Sequence, residues 1–266
     1  MKRKTWILVL ILIVAGVFRL QHIKSRPAGL NQQEVQNRTI ALGALKTGNY
    51  KIYYSEWKQE GLFPYLQAKT IEIFGFSPWA LRLPSVIAGI LTVLGLFLLA
   101  RKLFNWQIAT ISSYLLAISS WHVAFSRVVL KEIMVPLVLV WALYFFWRGL
   151  SSGRLIFFGI SGLVWSLGLY THPVFRLMPL ILLLILAAYW RAVKKDFAYE
   201  KYDHARHEIL RGFCTLLVVF ILAAMPIGFY FYQFPGNFWD SAQKSIFASE
   251  DFLQKIDFKK AFGRFI

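Results

Sequence analysis

A chain of 266 residues that is 58% hydrophobic and 17% aromatic is too apolar for an ordinary soluble domain, in which about half the residues are apolar. Its formal charge of +17 would suit nucleic acid, but the basic residues fall between apolar runs and form no single stripe, so no nucleic-acid partner is expected. The single cysteine, Cys214, lies inside one of those runs and excludes an internal disulfide.

Seven apolar runs follow in chain order, at residues 5–20, 79–100, 108–125, 135–147, 155–170, 175–190 and 213–232. A helix rises about 1.5 Å per residue, so about 20 apolar residues cross the hydrocarbon core. The shorter runs need Trp, Tyr and basic side chains at headgroup level to complete them. The expected fold class is therefore an all-α, polytopic transmembrane helical bundle. The first run follows Lys2, Arg3 and Lys4, which fits either an anchor or a cleaved signal peptide. Arg19, Lys24 and Arg26 come after it without a small-x-small cleavage site, which favours the anchor.

Basic clusters orient the spans. With the N-terminus in the cytoplasm, alternate crossing puts Arg101 and Lys102, then Arg148 and Arg154, then Arg191, Lys194, Lys195, Arg206 and Arg211 on that same side. The chain is then expected to be a multi-pass protein of the plasma (cytoplasmic) membrane, surrounded by membrane lipids.

This topology leaves residues 21–78 outside, too long a stretch for a plain connector. Asn31 and Glu34 read as a helix N-cap with its capping-box partner. Val35, Leu42 and Leu45 follow at helical spacing, with Ile40 and Ala41 between them, up to Gly48. A second helix is expected from about Leu62 to Phe74, with Pro64 tolerated in its first turn and Gly75 as its stop. Both read as amphipathic helices on the outer membrane surface. The chain divides into a transmembrane domain, 1–235, and an extracytoplasmic segment, 236–266. Lys259, Lys260 and Arg264 in that segment oppose the positive-inside tendency, which reads as a truncated chain.

The outer segment carries a family resemblance. Gly29-Leu30-Asn31-Gln32-Gln33-Glu34, Lys46-Thr47-Gly48-Asn49-Tyr50, Phe63-Pro64-Tyr65-Leu66, Phe74-Gly75-Phe76-Ser77 and Ala80-Leu81-Arg82-Leu83-Pro84-Ser85 follow one another in order. Ser126-Arg127, Glu132, and Gly168-Leu169-Tyr170-Thr171-His172 with Arg176 continue the series. Together they resemble the N-terminal part of the membrane-integral GT-C glycosyltransferases, the protein O-mannosyltransferases and lipid A aminoarabinose transferases. The resemblance implies transfer of a sugar from a polyprenyl-phosphate donor to a lipid, glycan or protein acceptor on the extracytoplasmic face.

Such a transfer needs a carboxylate to take the acceptor hydroxyl's proton and cationic donors for the departing phosphate. In the family an Asp-Glu pair near the start of the first outer loop supplies the acids; here Gln33-Glu34 stands in its place. A neutral amide cannot take the proton, so either Glu34 serves or the chain is catalytically impaired. Glu34 and Glu132 are the candidate catalytic residues. Glu34 is equally well read as a capping-box carboxylate, and Glu132 as a headgroup-level acid beside Lys131. Gln33, Arg82, Arg127, His172 and Arg176 are the candidate substrate-binding residues, with interfacial anchoring as the alternative for the cations.

The resemblance leaves room for a divalent metal, but no ligand set argues for one. Asp203, His204, His207 and Glu208 have metal-like spacing, yet their mixed charges read as a solvated helix face. Asn37-Arg38-Thr39 matches an outward-facing glycosylation acceptor, a pattern that is common by chance. A non-catalytic member that binds carrier lipid or assists assembly is the second functional class. A transporter is disfavoured, because no matched pair of Gly- or Pro-broken helices is present.

Overall fold

The structure, a computed structural model, describes residues 2–25, 29–177 and 199–238 together with positions 180, 181, 183, 184, 187 and 191; side chains at 2–4 and 199–208 are excepted. Among those residues it is all-α apart from one minimal hairpin. The first run forms α1 (Lys2–Leu20). In the segment 21–78 come α2 (Gln32–Thr47), β1 (Tyr53–Tyr54), β2 (Gln59–Glu60) and α3 (Leu62–Phe74). The two strands pair antiparallel, Tyr53 opposite Glu60 and Tyr54 opposite Gln59. The bundle continues with α4 (Pro78–Leu103), α5 (Trp106–Ile118), α6 (Ser120–Arg127), α7 (Met134–Ser152), α8 (Leu155–Leu169) and α9 (Tyr199–Gln233).

Local chemistry explains the outer helices. Asn31 Oδ1 accepts from the Glu34 amide at 2.8 Å, and the Glu34 carboxylate accepts from the Asn31 amide at 3.0 Å, so the expected capping box is formed. Gly48 closes α2 at φ +67°, a left-handed conformation that costs glycine little. The buried face of α2 differs from the expected apolar stripe. Glu34, Asn37, Ile40, Ala41 and Ala44 turn inward, while Val35 is exposed. Two polar side chains lie on the inner face because distant residues satisfy them. Asn37 Oδ1 accepts from Gln59 Nε2 at 2.7 Å, and its amide donates to the Gln33 carbonyl at 2.9 Å. Asn37 is thus a buried strut between α2 and β2, and the glycosylation reading of Asn37-Arg38-Thr39 is corrected.

Among the described residues, three helices are long and apolar enough to cross a membrane: Pro78–Leu103, Lys131–Ser152 and Ile209–Gln233, the last being the apolar part of α9. Together α5 and α6 have the length of a fourth but bend by 55°. Thr5–Leu20 and Leu155–Leu169 are shorter apolar helices. Trp6, Leu10 and Ile13 of α1, Ile111 and Leu115 of α5, and Ile221, Leu222 and Met225 of α9 stay exposed, an arrangement that suits lipid rather than water. The expected run 175–190 begins in a 3-10 turn, Pro173–Leu177, and from 178 lies mostly outside the described residues. Residues 239–266 lie outside them as well.

The expected single span 108–125 is broken at Ser119, whose ψ of 117° is not helical. A break leaves carbonyls without their intrahelical donors. The Ala117 carbonyl is taken instead by Arg19 Nη1 at 3.0 Å, from the last turn of α1. Trp165, Phe158, Phe213 and Leu216 fill the seam between α8 and α9. Gly162 permits that seam, since a Cβ there would overlap the Leu216 carbonyl oxygen.

Candidate functional site

The start of α4, the end of α6, the start of α7 and the end of α8 meet at one end of the bundle, beneath α2, α3 and the hairpin. Phe63, Ala68 and Ile71 of α3 seal this roof against Leu81, Val129 and Ile133. Three polar arrangements sit under it.

The first joins two expected site residues. Arg82 Nε donates to Glu34 Oε1 at 2.7 Å and Nη2 to Glu34 Oε2 at 3.1 Å, the bidentate fork that guanidinium groups favour. Nη2 also reaches the Gly29 carbonyl at 2.7 Å. The Val129 amide donates to Glu34 Oε1 at 3.3 Å, and the Asn31 amide to Oε2. Both side chains are 1% exposed. Each Glu34 oxygen already accepts two hydrogen bonds, which leaves little lone-pair capacity for a substrate proton.

The second arrangement centres on Glu60, which the sequence did not single out. The Gly61 amide bonds to the Ile52 carbonyl and the Leu62 amide to the Tyr170 carbonyl, fastening β2 to the turn after α8. Glu60 is fully buried there, between Lys131 Nζ at 3.2 Å and Arg176 Nη2 at 2.9 Å. Arg176 also donates to the Phe238 carbonyl and lies over the Phe231 and Phe238 rings.

The third is a cavity of about 350 Å³ walled by α6, the start of α7 and the turn after α8. Trp121, His122 and Phe125 form one side, Glu132 another, and His172 and Val174 a third. Glu132 stands in the 3-10 turn Lys131–Ile133 that leads into α7, and its Oε2 is buried with no hydrogen-bond partner. His172 accepts from the Val174 amide through Nδ1 at 3.2 Å. Burial, then the charge of Lys131, pushes its imidazole down to about 4; Glu60 opposes this, and Arg176 adds a last downward push.

This has a pH consequence. The folded chain keeps His172 neutral down to about 4, whereas the unfolded chain protonates it near its ordinary value of 6.5. Between those values the unfolded state binds the extra proton, so stability contributed above 6.5 is lost as pH falls toward 4. Melting curves in detergent from pH 7 to 4.5 are expected to fall less steeply for His172→Gln than for wild type. Parallel curves would show that His172 titrates normally in the fold.

The remaining expected residues lie apart from the cavity. Gln33 is exposed on the outward side of α2. Arg127 Nη1 donates to the Phe18 carbonyl at the end of α1, at 3.1 Å. Among the described residues, no three His, Cys, Asp or Glu side chains are placed to share a metal ion. The side chains of Asp203, His204, His207 and Glu208 are outside the described set. Sequence reasoning missed Glu60, Lys131 as its partner, His122 and Arg19. For Arg19 a signal existed, because an arginine within an apolar run is costly unless something pairs with it.

The described helices form an apolar bundle with carboxylates, guanidinium groups and imidazoles gathered at one end. The family comparison is more specific. The family model for dolichyl-phosphate-mannose-protein mannosyltransferase matches residues 61–202, and the chain belongs to that family. It is a membrane glycosyltransferase fold of the GT-C type, as the ordered motifs implied. It is also similar to YkcB of Bacillus subtilis (strain 168), a presumed mannosyltransferase, with 25% identity over 167 residues, 59% of this chain. The chain spans 23% of that relative's length.

Proposed function

We propose that the chain transfers a sugar from a polyprenyl-phosphate carrier to a lipid, glycan or protein acceptor at the extracytoplasmic face, with Glu132 as the carboxylate that takes the acceptor proton. The observation that carries this assignment is the unclaimed Glu132 oxygen at a substrate-sized cavity. Glu34, fully engaged by Arg82, Asn31 and Val129, then holds α2 against α4 and the end of α6, and so positions the roof over the cavity. Lys131 and Arg176, already joined through Glu60, are the cations available to the departing phosphate. Mechanistically, the acceptor oxygen attacks the anomeric carbon as its proton passes to Glu132. The bond to the carrier phosphate breaks, and the polyprenyl phosphate leaves with the electron pair.

In proteoliposomes carrying a short polyprenyl-phosphate mannose, the chain is expected to release polyprenyl phosphate at a rate well above empty liposomes, accelerated by acceptor glycan. Equal rates with and without protein would remove the transferase reading. The second reading, a non-catalytic lipid-binding member, is favoured by the exposed amide of Gln33 where the resemblance implies an acid. It predicts carrier binding without release, and release gained only in Gln33→Asp.

A further inference from the structure

Arg19 is completely buried at the end of α1, and its guanidinium is distributed over four acceptors. Nη1 bonds the Ala15 and Ala117 carbonyls at 2.9 and 3.0 Å, Nε reaches Ser126 Oγ at 3.2 Å, and Nη2 meets His122 Nδ1 at 2.7 Å. Gly89 makes room for this, because a Cβ there would stand 2.9 Å from Arg19 Nε and overlap Ser126 Oγ. A guanidinium only donates, so His122 Nδ1 must present a lone pair and the ring proton must sit on Nε2. His122 is 8% exposed, and its Nε2 has no hydrogen-bond partner. The residue lines the same cavity as Glu132, whose Oε2 is likewise buried and unpartnered. Two residues that line the cavity therefore carry one fixed donor and one acceptor, each buried and orphaned at a cost unless a ligand or water engages it.

A hydroxyl donates and accepts at once, and so suits this pair. An anion does not, because the Glu132 carboxylate would repel it. Trp121 and Phe125, with ring centroids 5.1 Å apart, add apolar faces against which the C–H side of a sugar ring can lie. We propose that this cavity binds the hydroxyls of a sugar ring, with His122 Nε2–H as its specificity-determining donor and Arg19 as the positioning residue that fixes the tautomer. Choosing a sugar as the ligand rests on the transferase reading; the donor and acceptor geometry does not.

The test titrates the full chain, in nanodiscs and with 15N-labelled histidine, with methyl α-D-mannoside, which has the ring hydroxyls but neither phosphate nor lipid. Inorganic phosphate is titrated separately. His122 is expected to carry its proton on Nε2 before any addition, and that resonance is expected to move with the mannoside and not with phosphate. A proton on Nδ1, a resonance the mannoside leaves unmoved (a cavity that holds only water), or a response to phosphate instead would each overturn the proposal. His122→Asn keeps an acceptor for Arg19 and loses the cavity donor, whereas His122→Gln keeps a donor near the Nε2 position. Mannoside binding, followed by saturation transfer, is expected to weaken by about tenfold or more in the Asn variant and to stay within about threefold in the Gln variant. Should either variant fail to fold, the wild-type titration still decides. A chain that releases no carrier yet shows the His122 response keeps this site and loses the transferase reading; release with an unresponsive His122 does the reverse.

Discussion

Glu132→Gln is expected to cut sugar transfer by about 10²- to 10⁴-fold, the range a positioned general base contributes. The amide is close to isosteric, and the oxygen it replaces has no hydrogen-bond partner to lose. Its melting temperature and its affinity for the bare carrier should therefore stay near wild type. Glu132→Asp keeps a carboxylate but withdraws it along the side chain, so an intermediate rate is expected from imperfect alignment. The measurement is initial release of polyprenyl phosphate from a mannosyl carrier in proteoliposomes, at saturating acceptor. A Gln variant within about threefold of wild type would remove Glu132 from proton transfer, since no base contributes so little. Glu34 would then be the remaining carboxylate from the sequence, and it would have to release at least one of its donors before accepting a proton.

What could be read from the chain was what its own neighbours decide. Asn31 and Glu34 are three residues apart, so their capping box is a local event, and it formed as the pattern implied. The bounds of α3, Leu62–Phe74, follow from a proline in its first turn and a glycine after its last, both short-range constraints. The all-α membrane class follows from apolar run length. Features set by distant residues stayed hidden. Val35 lies in the expected stripe of α2 yet is exposed, because Arg82 and Gln59 draw Glu34 and Asn37 to the inner face. Residues 108–125 read as one span since nothing local marks Ser119. The group that satisfies the opened carbonyl, Arg19, comes from 98 residues earlier. Glu60 sits in a short polar stretch that reads as loop, and its partners Lys131 and Arg176 are 71 and 116 residues away. The candidate list accordingly held Arg82, Glu132, His172 and Arg176, but not the carboxylate and imidazole that complete their surroundings.

The Glu34–Arg82 pair carries the largest stability prediction. Removing one member of a buried, hydrogen-bonded ion pair leaves the other charge without compensation, at a cost of about 3–5 kcal/mol. Glu34→Ala strands the Arg82 guanidinium and releases the Asn31 and Val129 amides, so α2 keeps its Asn31 cap but loses the reciprocal half of the capping box and its link to the end of α6. Arg82→Ala strands the carboxylate and frees the Gly29 carbonyl. Each single variant is expected to lose most of the chain's thermal stability in detergent, with sugar transfer lost alongside it. The double variant should cost little more than either single, because the penalty in each single is mainly the surviving unpaired charge. Glu34→Gln is the informative middle case. It keeps an acceptor for one Arg82 nitrogen and removes the negative charge, so part of the stability loss is expected without an independent block on chemistry. Unfolding and transfer measured on the same Glu34→Gln preparation separate the two roles. If the protein folds as wild type does but transfers about 10²-fold more slowly or worse, the proton acceptor is Glu34. If stability falls and the rate per folded molecule holds, the carboxylate is the brace that α2 and α4 share, and the chemistry belongs to the cavity.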